Sequence, residues 1–206
     1  MPGVETLSVL FQGRPEVLRP IVASAFSAYS ATVARTFAPI EPPDTHYLNA
    51  AQGWLELGAT AEAHGELLKI SLQARFHPEV LKVRWDVYAR AGHWEFAYTI
   101  AQGLIAFLPD DPIGYLNRSI ALHELKRTPE AWDNLLPAAL KFPRNPIIAL
   151  HLARYACQLG RLEEAKAWMK KAVTVDDAGD LMRSALKDPE LAPLWPYYGK
   201  LSAAMK

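Results

Sequence analysis

The sequence predicts an all-α fold of four stacked helix-turn-helix units, and three observations carry that prediction. Alanine recurs at Ala63, Ala97, Ala131 and Ala165, in equal steps of 34 residues. Five residues before these alanines stand Gly58, Gly92, Lys126 and Gly160, so three of the four units place glycine where one helix should end. Twelve residues after them stand Arg75, Pro109, Pro143 and Asp177, and the two prolines mark where a second helix must stop. A fixed period of this length signals a repeat in which each helical pair is one structural unit.

Composition narrows the function classes. The 206 residues are 50% hydrophobic and 21% charged, with 22 basic and 22 acidic side chains, as expected of a globular chain rather than a disordered one. A neutral balance argues against nucleic acid as the main partner, since such binding draws on clustered Lys and Arg. Cys157 is the one cysteine, so an intrachain disulfide and a thiolate zinc cage are excluded. The uncharged run from Pro20 to Ala34 is shorter than the roughly 20 apolar residues of a membrane span. The expected location is cytoplasmic; the alternative is export, with residues 14–38 serving as a signal peptide.

Taken in order, residues 1–15 read as a disordered or vector-derived leader, because LSVLFQG at residues 7–13 resembles the viral protease site LEVLFQGP. In the next segment, 16–43, Leu18, Val22, Ala25, Tyr29 and Val33 fall on one helical face. This predicts an amphipathic helix that packs on the first unit, closed by Pro39, Pro42 and Pro43; a dimerisation helix is the alternative. The array is expected over 44–177, divided as 44–77, 78–111, 112–145 and 146–177. First helices are predicted near 45–57, 79–91, 113–125 and 147–159, each ending at the glycine register. Second helices are predicted near 61–75, 95–108, 129–142 and 163–175. Large and small residues recur in step on both: Trp54, Tyr88, Leu122 and Ala156 on the first helices, nine before the alanine, and Leu67, Ala101, Leu135 and Met169 on the second, four after it. Residues 178–206 should form C-terminal capping helices, with Asp188 and Pro189 starting the last one.

Over residues 44–177 this pattern resembles the tetratricopeptide repeat (TPR) family of bacterial type, whose helical pairs stack into a right-handed α-solenoid. The departures are Trp85 at a small-residue site, Arg84 and Arg118 at leucine sites, Lys126 at the turn glycine and Arg75 at the terminal proline. They predict irregular packing in the second and third units. The resemblance also implies a tryptophan at position 54 packed in the core.

No catalytic constellation emerges. The six histidines are scattered, His123-Glu124 lacks a second histidine four residues on, and no glycine-rich phosphate loop follows a strand. The expectation is therefore a non-enzymatic chain with no cofactor and no metal. The TPR resemblance implies a concave groove lined by first helices. Its residues would be Asn49, Gln52 and Glu56; Lys82, Asp86 and Arg90; Asn117, Ile120, His123 and Glu124; and His151 and Arg154. A protein or peptide segment is the implied partner, with Lys82, Arg90 and Arg154 as anchors for acidic groups. Leu48, Gln52, Val83 and Ile113 stand where the clamp of chaperone-tail receptors in the family would need polar or basic groups, which disfavours that role. The alternatives are a secretion-type chaperone shielding a hydrophobic segment, dimeric through its N-terminal helix, and an enzyme centred on His123 and His151.

Overall fold

The computed structural model describes residues 37–174 and 178–198. Among them are nine α-helices, one 3₁₀ helix and no strand. The leader, the N-terminal amphipathic segment up to residue 36 and the residues after 198 lie outside the described residues. The chain divides into two compact units, 1–121 and 122–206. The first contains α1 (Asp44–Glu56), α2 (Thr60–Lys69), α3 (Pro78–Arg90) and α4 (Trp94–Phe107). Helix α5 (Ile113–Glu124) carries the division. The second contains α6 (Thr128–Lys141), α7 (Pro146–Gln158), α8 (Leu162–Val173), α9 (Ala178–Ala185) and the 3₁₀ helix Pro189–Leu194.

First helices stop by the same local chemistry in every repeat, and those of the last three also start alike. His77, Asp111 and Asn145, spaced by 34, each accept a backbone N–H two residues on, and each is followed by a proline, which opens the helix at Pro78 and Pro146 and directly precedes it at Pro112. Proline costs nothing there, because the N–H it lacks would have no intrahelical acceptor. This cap-proline register is a second period in the sequence, beyond the alanine, glycine and proline positions that predicted the repeat.

At the other end, Gly58, Gly92 and Gly160 take φ of +77°, +73° and +71°, and Lys126 takes +63° in the same place. Around them the N–H groups of Ala59, His93, Arg127 and Arg161 reach back to the carbonyls of Trp54, Tyr88, Leu122 and Ala156 at 2.8–2.9 Å. Each turn is therefore a Schellman motif, and the lysine that departs from the glycine pattern makes the same turn as its neighbours. The four alanines that set the period are fully buried, where a larger side chain would force the antiparallel pairs apart.

Second helices differ more. Leu108 and Phe142, just before Pro109 and Pro143, leave the helical region at φ −126°, ψ 64° and φ −122°, ψ 62°, as residues preceding proline do. Helix α2 has no such proline and ends at Lys69, six residues short of the predicted 75. The Asp44 carboxylate accepts the Ser71 N–H at 2.8 Å and the Ser71 hydroxyl, drawing the buried Ile70 into an extended conformation. Arg75 then supplies what proline does elsewhere: its guanidinium donates to the carbonyls of Ile70 at 2.9 Å and Leu68 at 3.2 Å. The departure from the family pattern is thus a different helix stop.

In the first unit, α1, α2 and α3 share a core of Leu48, Ala51, Leu55, Leu67, Val80 and Val83. Leu81, Trp85, Tyr88, Leu104 and Phe107 build a second cluster between α3 and α4. Trp85 is buried within it and Arg84 is buried beside it. The expected core position of Trp54 is corrected: 38% of its surface is open. No preceding repeat lies against that side of α1 among the described residues. Gly114 marks a close approach that the repeat pattern did not flag, since a Cβ there would stand 2.8 Å from the Ile105 backbone nitrogen.

In the second unit, α7 and α8 form the most extensive helical pair, and the 3₁₀ helix packs on both. Leu191 and Leu194 of the 3₁₀ helix are buried, as are Met182 and Ala185 of α9, so the C-terminal elements close the last pair as predicted.

Candidate functional site

Helix α3 is buried on nearly every side. Its open positions, Glu79, Lys82, Asp86 and Arg90, form one narrow stripe of alternating charge. Spacing of three and four residues puts these side chains above one another on a helix. Helix α1 presents Asn49, Gln52 and Glu56, all exposed, on the side opposite the apolar residues it leaves open. Arg90 joins the two stripes by donating from Nη1 to the Leu55 carbonyl at 2.8 Å, where α1 ends and its carbonyls attract a cation. Lys82 pairs with Glu79 at 2.9 Å on the surface.

Asp86 is exposed to solvent, yet surrounding protein atoms strip enough water from its carboxyl to push its pKa up, against the pull of the Arg90 charge. Six predicted groove residues, from Asn49 to Arg90, are thus brought together on the open face of α1 and α3.

The remaining predicted positions differ. Asn117 is buried, and Ile120, partly buried, packs against the apolar cluster between α3 and α4. Glu124 is exposed at the end of α5. His123, His151 and Arg154 all lie in the second unit and are engaged by the chain's own C-terminal segment. The Arg154 guanidinium grips one Asp188 carboxylate oxygen through Nε at 2.9 Å and Nη2 at 2.6 Å. Glu190 accepts from His123 Nε2 at 2.8 Å and stands 3.4 Å from Arg154 Nε. Gln158 donates to the Glu190 carbonyl at 3.2 Å.

His151 sits behind this clasp, 3.3 Å from Arg154 Nη1 and 3.5 Å from the Tyr155 hydroxyl. Burial holds its pKa down to about 3, with the Arg154 and His123 charges adding to the effect. It is a neutral imidazole that accepts hydrogen bonds, because its cationic form would be buried beside a guanidinium. Two histidines and two acids are therefore close together here, but their free valences point at one another. Asp188 and Glu190 are the partners that sequence reasoning missed. The Asp-Pro-Glu run showed a helix start, and Asp188 does accept the Glu190 N–H at 3.0 Å, but nothing local disclosed the distant Arg154.

Cys157 is buried, and burial raises its pKa to about 11, so the thiol is not a nucleophile in waiting. Among the described residues no group of three or more His, Cys, Asp or Glu side chains could hold a metal ion. Nor is any described helix long and apolar enough to cross a membrane.

No family model matches the sequence. No curated protein is similar to it either. Solved structures are similar in backbone. One titled "MamA MSR-1 C2" is 20% identical, with 80% of this chain and 97% of that chain covered at a TM-score of 0.56. A mutant form of MamA is also 20% identical, covering 84% of this chain and 99% of that one at a TM-score of 0.53. Together with the four repeated Schellman turns, these matches show that the chain has an all-helical, tetratricopeptide-like repeat fold.

Proposed function

We propose that this chain is a non-enzymatic scaffold that holds a peptide or protein segment against the open face of α1 and α3. The observation that carries the reading is the contrast between the two units. The first-helix residues of the first unit face solvent as amides and alternating charges, while His123 and Arg154 of the second are already satisfied by Asp188 and Glu190. On the first face Lys82 holds a surface ion pair with Glu79 and Arg90 a single bond to a backbone carbonyl, contacts a ligand can exchange at little cost, whereas a ligand at the second would have to break a clasp shared by four side chains.

Asn49 and Gln52 offer amide donors and acceptors suited to an extended backbone, and Lys82, Asp86 and Arg90 add charge selectivity along it. Of the three cations expected to anchor acidic groups, Lys82 and Arg90 remain on the open face, and Arg154 serves the C-terminal clasp. The neutral charge balance supports a polypeptide partner over nucleic acid. The alignment of His123, His151 and two acids gives no support to an enzyme, since each is spent on its neighbours.

The test is to pan a displayed library of random peptides against the full chain and measure the enriched sequences on a Lys82→Glu, Asp86→Lys variant. Binding should fall at least about tenfold, as expected when charges at a contact are reversed. Failure to enrich any sequence, or enriched peptides that bind the variant equally well, would refute the α1–α3 face as the ligand surface.

A further inference from the structure

The second unit engages a short stretch of its own chain as a groove engages a peptide. Arg154 grips the Asp188 carboxylate and stands 3.4 Å from one Glu190 oxygen, while His123 bonds the other and Gln158 donates to the Glu190 backbone carbonyl. Two carboxylates and a main-chain carbonyl are thus met from α7 and from the end of α5. Leu191 follows as an apolar anchor, 1% exposed.

The receiving side chains are held by groups outside that stretch. The Thr128 hydroxyl stands 2.9 Å from His123 Nδ1 and the Tyr155 ring 4.9 Å from the imidazole, which aims Nε2 at Glu190. His151 Nδ1 lies 3.3 Å from Arg154 Nη1, leaving the other guanidinium nitrogens to the carboxylates. The occupant is the weaker partner. It runs into a six-residue 3₁₀ helix, whose hydrogen bonds are poorer than those of an α-helix, and Pro189 and Pro193 supply no donor to it. The Arg154 and Glu190 side chains are 24% and 38% exposed, so a competing carboxylate can reach them. Closing the last helical pair requires the buried Leu191 and Leu194; it does not require two carboxylates on one guanidinium.

We infer that residues 188–191 occupy, in cis, a binding site for acidic peptides of the form Asp-x-Glu-Leu, and that a partner segment of this chemistry binds the second unit by displacing them. The acidic preference follows from the receiving groups: guanidinium, imidazole N–H and amide N–H all donate to oxygen. The site lies wholly in the second unit, so it stands or falls apart from the α1–α3 face. Tethering gives the internal segment an effective concentration on the order of millimolar, which keeps the site closed until a partner competes.

A fluorescent peptide of residues 187–195, titrated against the full chain and its Asp188→Asn, Glu190→Gln variant, tests this. Asparagine can still accept the N–H of residue 190 that Asp188 caps, and Leu191 and Leu194 are untouched. The peptide should bind the variant at least about tenfold more tightly than the natural chain, because the internal competitor is weakened. A peptide with Asn and Gln at its two acidic positions should bind the variant at least about tenfold more weakly than the acidic one. Equal affinity for the two proteins, or no preference for the acidic peptide, would overturn the inference. Hydrogen exchange of the natural chain serves whether or not the variant folds. Excess acidic peptide should speed exchange of the Leu191 and Leu194 amides at least about threefold while α8 amides stay unchanged. Unaltered exchange would make the stretch a fixed cap and overturn the inference. So would a natural chain whose mass doubles with concentration as it loses the peptide, since the partner would then be a second copy.

Discussion

Lys126 is the one non-glycine described residue with positive φ, at +63°, and replacing it with glycine should stabilise the protein. Three equivalent positions carry glycine at +71° to +77°, so the backbone there needs no adjustment to accept one. A side chain in the left-handed region costs about 1–2 kcal/mol, because Cβ crowds the following carbonyl. Glycine gives back part of this, about 0.5–1 kcal/mol, through the larger entropy of the unfolded chain. The lysine side chain is exposed, so little contact is lost. The net expectation for Lys126→Gly is a gain of about 0.5–1 kcal/mol, or a rise in Tm of roughly 1–4 °C for a chain of this size. Gly160→Ala should move Tm the other way by a similar amount, since alanine would have to adopt φ +71°. Thermal unfolding followed by circular dichroism at 222 nm, the standard helical band, measures both. Equal or lower stability for Lys126→Gly would show that the turn is held by something other than backbone geometry.

Gly114→Ala should cost about 1–3 kcal/mol, because its Cβ would meet the Ile105 nitrogen at 2.8 Å and Cγ1 at 2.9 Å; a urea midpoint equal to that of the natural protein would refute the close approach. Acid should weaken the second unit through His151, whose imidazole is neutral in the fold down to about pH 3 but takes up a proton below about 6.5 when unfolded. Since the unfolded state then binds more protons between these values, stability falls with pH across this window, by about 2 kcal/mol from pH 7 to pH 5. The shifts of His64 and His77, also lowered by burial, act in the same direction and are common to both proteins, so urea unfolding of His151→Asn should show a pH dependence shallower by about that amount. Identical dependence in the two proteins would refute a buried neutral His151.

Much of the fold was legible because the features that set it are local. A left-handed turn favours glycine, a helix stops before proline, and a close helix crossing needs a small residue, so each leaves a residue at a fixed place in most of the repeats. The first helices accordingly lie within about one residue of the predicted bounds, within ordinary boundary error. The early stop of α2 was hidden because its cause, Asp44 reaching Ser71, spans 27 residues. Arg75 and Lys126 looked like breaks in the pattern, yet each performs the missing residue's task by another route.

The candidate site shows the same divide. The repeat resemblance, carried through the 34-residue step, named Asn49, Gln52 and Glu56, and Lys82, Asp86 and Arg90, as groove positions, and helical spacing keeps each set on one side of α1 or α3, because side-chain direction on a helix follows from residue number. Spacing could not say which groove positions remain open. Asn117, His123, His151 and Arg154 obey the same register as the others, but burial and a partner 34 residues away in the case of Arg154–Asp188 withdraw them from the surface. The sequence by itself therefore determined the repeat, its turns and the direction each side chain takes. Only the tertiary structure decided which of those side chains meet solvent and which meet each other, because that depends on contacts between residues far apart in the chain, and such contacts leave no periodic trace.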